Sequence, residues 1–425
     1  MIPARITIVW IGAILALGPP GISHAFHSGG VAECIGCHSM HSTEQRGPSP
    51  SLLVQSDPSS VCLTCHQGTG DTGPNSYHIS TAESEMPPGA PPKQRTPGGD
   101  FAWLKKDYTF VVDGQAVNED GDRHGHNIVA ADFGYRFDRS NHSAPGGTFP
   151  AARLACTSCH DPHGNYRRLA DGRVATTGAS ILASGSYATN DDPRASDPPA
   201  PGTALGSYRL LAGNGYSNHG ATFPGVPAAK APSVYNRSEE FTQTRVAYGN
   251  ATTGGHATWD DWCGTCHSAV HSGGSLEHPV DEELGSEIGM HYDQYVKTGD
   301  MTGTGASSFT SLVPFIEYTG DYLLLASHAK NDDTYLAGPA PSDRVSCLTC
   351  HRAHASGWPY ALRWSHGGEF ITYGGQYPGI DTTPAVPEIA RGRTSAETRG
   401  AYYDRPVTAF APDQRVLCEK CHAAE

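Results

Sequence analysis

After its first 25 residues the chain has no apolar run long enough to cross a bilayer, so the remainder is expected to hold no membrane span. Charge is scarce, with Asp, Glu, Lys and Arg making up 17% of residues, and acidic residues outnumber basic ones to give a formal net charge of −14. An acidic chain without a basic stripe excludes nucleic acid as the expected partner. Methionine is nearly absent: past residue 25 there are only Met40, Met86, Met290 and Met301. Breakers, in contrast, are abundant, with 50 Gly and 32 Pro. Glycine costs backbone entropy in regular elements and proline removes a donor, so long helices and wide sheets are not expected. Nor is there a fixed repeat period.

Cysteine is sparse everywhere except in one unit. The 12 cysteines fall in six Cys-x-x-Cys-His motifs, Cys34-Cys37-His38, Cys62-Cys65-His66, Cys156-Cys159-His160, Cys263-Cys266-His267, Cys347-Cys350-His351 and Cys418-Cys421-His422. This is the attachment pattern for haem c. On one helical turn, positions i, i+3 and i+4 share a face, so two thiols can form thioethers to one porphyrin edge while the adjacent imidazole reaches the iron. Disulfides, zinc or iron–sulfur sites would also use paired cysteines, but none needs a histidine after each pair. Six covalently bound haems c are therefore expected, with the six motif histidines as proximal iron ligands.

Residues 1–25 read as a secretory signal: Arg5, an apolar run from Ile6 to Leu17, Gly18-Pro19-Pro20 and a small-residue cleavage site at Ser23-His24-Ala25. The mature chain, 26–425, is expected to be one hexahaem domain exported to the cell surface, with the periplasm as the alternative location. A hairpin is predicted around Tyr108–Val112 before Asp113-Gly114, and helices over 281–298 and 321–328. The stretch 164–255, the longest without cysteine, could form a peripheral lobe. Asn118-Glu119-Asp120-Gly121-Asp122 fails the calcium-loop spacing, because position one would be Ala116 and position twelve Asn127, so it reads as an acidic turn.

The sixth iron ligand decides the chemistry. Four methionines cannot serve six irons, whereas 15 histidines of the mature chain lie outside the motifs. Bis-histidine ligation throughout is thus possible, and haems so held would be of low potential and carry electrons. Nine histidines are candidates for six distal positions: His27, His41, His78, His126, His163, His271, His278, His328 and His354. His41, His163 and His354 lie in Cys-His-x-x-His and are tethered too near their own motif to cross its porphyrin, so each should reach a neighbouring haem, which draws the haems together. His124, His142, His219, His256, His291 and His366 read as surface or hydrogen-bonded residues. A multihaem reductase of a small nitrogen or sulfur oxidant would need an open iron, often marked by Lys in place of a motif His. All six motifs keep the His, so no catalytic residue is assigned and the chain is not expected to be an enzyme.

Phe26-His27-Ser28-Gly29-Gly30-Val31-Ala32-Glu33-Cys34, Tyr77-His78-Ile79-Ser80-Thr81-Ala82-Glu83, Gly125-His126-Asn127-Ile128-Val129-Ala130, Cys159-His160-Asp161-Pro162-His163-Gly164, Thr242-Gln243-Thr244-Arg245-Val246-Ala247-Tyr248-Gly249 and Cys350-His351-Arg352-Ala353-His354-Ala355-Ser356-Gly357 carry a resemblance over essentially the whole mature chain. It resembles the filament-forming hexahaem outer-membrane cytochromes of metal-reducing bacteria, and departs from them most over 180–232 and 254–287. The resemblance implies a multihaem fold, mostly irregular with short α and 3₁₀ helices and few short strands, wrapped round a continuous haem stack. It implies a homopolymer in which His41 ligates the fifth-motif haem, held by His351, of the adjacent subunit. It also implies redox partner cytochromes and extracellular acceptors such as metal oxides, electrodes or partner cells. A monomeric periplasmic or surface electron shuttle would carry the same haems and differ in assembly alone.

Burying six apolar porphyrins is expected to offset the ordering cost of so loop-rich a chain. The haem-free polypeptide should therefore be largely unfolded by circular dichroism, and a folded haem-free form would contradict this.

Overall fold

The computed structural model describes residues 34–39, 52–68, 78–162, 211–213, 216–232, 235–250, 257–270 and 280–422. The predicted signal segment 1–25 and the histidines at 27, 41, 163, 256, 271 and 278 lie outside them. Regular structure is sparse, as the Gly and Pro content dictates. Among the described residues the longest helix is Gly285–Gln294, and the longest strands have 5 residues. No helix among them is long and apolar enough to cross a membrane.

Tyr108–Val112 and Gln115–Glu119 form the expected antiparallel hairpin, pairing from Tyr108 with Glu119 to Val112 with Gln115. Its two-residue turn puts Asp113 at φ 50° and Gly114 at φ 75°, the left-handed pair that matches strand twist. Tyr108 and Phe110 point inward. A five-stranded sheet runs in the order Ala229–Lys230, Ala247–Gly249, Ile316–Glu317, Arg344–Val345, Glu282–Glu283. It draws in Ala229–Lys230 and Ala247–Gly249, so these two strands of the stretch 164–255 pair with the body of the chain. The helix expected over 281–298 is shorter than anticipated. Glu282–Glu283 pairs with Arg344–Val345 instead, the left-handed Gly285 (φ 66°) opens the helix, and Tyr295 turns extended after Gln294. The second expected helix is present as Tyr322–His328.

Aromatic residues dominate the core. One cluster holds Trp103, Trp358, Trp364, Tyr377 and Tyr402; a second holds Phe223, Tyr248, Trp259, Trp262, Leu348 and Tyr403. Trp259 and Trp262 lie on the fourth-motif helix, Trp259–Gly264, and Leu348 lies inside the fifth motif, so the packed core directly backs the attachment turns.

Glu119, at the end of the hairpin and 2% exposed, binds the guanidinium of fully buried Arg393 and lies 2.9 Å from His124 Nε2. Arg393 in turn covers Tyr108 and Trp358 at 4.1 and 4.5 Å from their ring centres. Burial opposes ionisation of Glu119, but the His124 hydrogen bond and the Arg393 charge prevail and lower it to about 2. A depressed carboxyl stabilises the fold above its unfolded pKa of about 4.3, and that contribution disappears as pH falls toward the folded value. Arg393→Met should cost about 3 kcal/mol or more in thermal unfolding, because it leaves a buried carboxylate short of its partner, and should move the onset of acid unfolding to higher pH. Unchanged melting between pH 2 and 7 would contradict the assignment.

Candidate haem-binding sites

Each attachment motif from the third to the sixth forms the same turn, whether α or 3₁₀. The N–H of the motif histidine donates to the carbonyl of the first cysteine, at 2.9 Å for His160, 3.1 Å for His267, 2.9 Å for His351 and 3.0 Å for His422. In the second motif the turn ends the helix Pro58–His66, whose N-cap Asp57 accepts from Ser60 N at 2.8 Å. Thr258 and Ser346 cap the turns of the fourth and fifth motifs. The caps satisfy the exposed amides of very short helices and fix where the thiols point.

From the second to the sixth, the motifs are joined in space in their order along the chain. The sulfurs of Cys62 and Cys156 adjoin, as do those of Cys263 and Cys347. Cys159 lies beside Cys266 and Cys263, and Cys350 lies beside Cys418. Second-motif cysteines thus adjoin the third motif, third adjoin fourth, fourth adjoin fifth and fifth adjoin sixth. Cys37 and the ten cysteines of the second to sixth motifs are unbridged. Two of these junctions share a device that sequence reasoning missed. Ser59, three residues before Cys62, accepts from Cys156 N at 3.1 Å. Asp260, three residues before Cys263, accepts from Cys347 N at 2.9 Å and from Ser346 Oγ at 3.1 Å. The recurring offset is visible in the sequence only once the contact is known.

Four of the nine distal candidates, His78, His126, His328 and His354, are described. His126 and His267 have ring centres 6.0 Å apart; His160 and His354 have theirs 6.4 Å apart. Two metal–nitrogen bonds of about 2 Å, plus the distance from ring nitrogen to ring centre on each side, come to about 6 Å. Both pairs therefore fit one iron between two imidazoles. His354 lies against His160 of the third motif, not against its own His351, which agrees with the tether argument for Cys-His-x-x-His.

The two candidates share a scaffold. His126 N donates to His354 O at 2.8 Å, and His126 Nδ1 donates to Ala353 O at 2.6 Å. Backbones cross here so closely that a Cβ on Gly99 would lie 1.8 Å from Ala355 O, and one on Gly125 would lie 2.2 Å from His354 O. Glycine is required at both positions. Phe101 stacks on His354 with centres 4.6 Å apart.

With Nδ1 bound to backbone, Nε2 is the nitrogen left to face a metal. The same holds for His267, whose Nδ1 donates to Pro145 O at 2.8 Å, and for His351, whose Nδ1 donates to Tyr360 O at 2.7 Å. Such partners fix tautomer and ring orientation. Burial first, then the neighbouring His267, lowers His126 to about 4 and keeps it neutral, as a metal ligand must be. His328 differs in that its Nδ1 meets Glu317 Oε2 at 2.6 Å. His78 lies beside the second motif: a Cβ on Gly68 would stand 2.9 Å from its Nε2, and Ile79 N donates to His66 O at 2.9 Å. His124 has both nitrogens engaged, Nδ1 with Trp103 O at 3.0 Å and Nε2 with Glu119, and His291 Nε2 meets Glu419 O at 3.0 Å. His142, His219 and His366 are exposed. Among the described residues no cluster of three or more His, Cys, Asp or Glu forms a separate metal site.

The sequence is similar to the c-type cytochrome OmcS of Geobacter sulfurreducens, with 47% identity over 445 aligned positions covering 99% of each chain. The chain belongs to the OmcS family of c-type cytochromes. Covalently bound haem c is therefore the cofactor that these motifs hold, and the mostly irregular fold is that of the family. Two solved structures agree. The cryo-EM structure of the OmcS nanowires from G. sulfurreducens superposes with a TM-score of 0.79 at 47% identity, covering 94% of this chain and 100% of that one. The outer membrane cytochrome S filament from G. sulfurreducens superposes with a TM-score of 0.79 at 46% identity and the same coverage. No protein-family model matches the sequence.

Proposed function

We propose that this chain is the repeating subunit of an extracellular electron-conducting filament, with one haem c at each of its six motifs and two histidines on every iron. The observation that carries this reading is the pair of facing imidazoles, His126 with His267 and His160 with His354, at separations that suit a single iron. Haem supplies a carrier that takes and releases one electron without bond-making in a substrate. The remaining tasks fall to the protein. Paired thioethers at Cys34/Cys37, Cys62/Cys65, Cys156/Cys159, Cys263/Cys266, Cys347/Cys350 and Cys418/Cys421 hold neighbouring groups at fixed spacing. His38, His66, His160, His267, His351 and His422 would hold the iron of each group, and the distal histidines would complete its ligation, exclude small ligands and keep the potentials low.

Residues 26–425 act as one hexahaem unit exported by removal of 1–25, and the filament delivers electrons received from partner cytochromes to metal oxides, electrodes or neighbouring cells. The similarity to OmcS, whose solved form is a nanowire, supports a homopolymer in this protein too. In that polymer His41 binds the fifth-motif haem of the adjacent subunit, opposite His351. His41→Ala should keep close to six haems per chain by pyridine haemochrome assay while abolishing filaments in electron micrographs. Long filaments from the variant would contradict the ligand between subunits.

A further inference from the structure

Of the histidines with a defined Nδ1 partner at these sites, His126, His267 and His351 donate to backbone carbonyls. His328 alone among them meets a carboxylate, Glu317 Oε2, at 2.6 Å. The arrangement is built and not incidental. Glu317 is 9% exposed and sits on the sheet strand Ile316–Glu317; His328 ends the helix Tyr322–His328. The His328 ring stacks on Tyr335 with centres 4.1 Å apart and planes within 9°. The second carboxylate oxygen, Oε1, receives Arg245 at 2.9 Å. That guanidinium is itself buried, held by Ala337 O at 2.6 Å and packed over Phe309, Phe315 and Tyr335. A tyrosine face and a carboxylate braced by a buried arginine thus hold one imidazole through its Nδ1.

We infer that Glu317 is a positioning and tuning residue that lowers the potential of the haem ligated by His328. The inference rests on the reading of His328 as a distal ligand. An imidazole whose Nδ1–H donates to a carboxylate carries more negative charge than one donating to an amide carbonyl, so it is the stronger base toward a metal. It favours ferric over ferrous iron and shifts the couple downward. Arg245 shares the carboxylate through its other oxygen and holds it in place beside the ring. One step in the electron path is thereby set by a side chain that does not touch the iron.

Spectropotentiometry of the haem-loaded protein tests this. Glu317→Gln preserves shape and a hydrogen-bond acceptor but removes the charge. It should move the midpoint of one haem upward, leave the others in place and keep every haem low-spin. His328→Met and His328→Ala test the ligand itself: the first should raise one midpoint and add a methionine-ligated signature, and the second should add one high-spin haem. Wild-type spectra from both His328 variants would overturn the axial assignment. Altered His328 spectra together with an unchanged titration curve for Glu317→Gln would overturn the tuning role alone.

Discussion

The spacing between neighbouring attachment turns is the constraint that the rest of the structure serves. Electrons pass only between groups in near contact, and a porphyrin tethered through two adjacent thiols can move little further than its turn moves. The protein therefore fastens turn to turn. Ser59 and Asp260, each three residues ahead of one motif's first cysteine, take the first amide of the next motif, and the first cysteines of those motifs touch. The shared scaffold of His126 and His354 does the same for the third and fourth sites from the distal side. A loop-rich chain is suited to this task, because the connections need only return each motif to its predecessor.

The cost of that economy falls on the core. Short helices and two- or three-residue strands bury little surface of their own, so stability is drawn from aromatic clusters packed behind the motifs and from buried ion pairs such as Arg393 with Glu119 and Arg405 with Glu239. Buried charges are stabilising when fully paired and costly when one partner is missing. They fix geometry more than they add free energy, which suits a protein whose function depends on the separation of fixed points.

Much of this was legible in the sequence because the decisive chemistry is local. Cys-x-x-Cys-His contains its own geometry within five residues, and the hairpin at Asp113-Gly114 is a two-residue signal. The helix expected over 281–298 was overextended because Glu282–Glu283 is claimed by a strand distant in sequence. The distal partners were not readable for the same reason. His126 meets His267 and His354 meets His160 across long intervals of chain, and the backbone crossing at Gly99 and Gly125 sets the two distal segments side by side. Glu317 carried no motif at all, and neither did Ser59 or Asp260. The proposal that His41 serves another subunit rests on family resemblance alone.

The central claim is that the six haems form one unbroken line in the order of their motifs, each iron held between two histidines. A cryo-electron microscopy reconstruction of the natively purified, haem-loaded protein tests it most directly. It should show adjacent porphyrins in near contact from the second motif through the sixth, with His126 opposite His267 and His354 opposite His160. A break in that line, or an iron at the third or fourth motif with a different distal ligand, would contradict it.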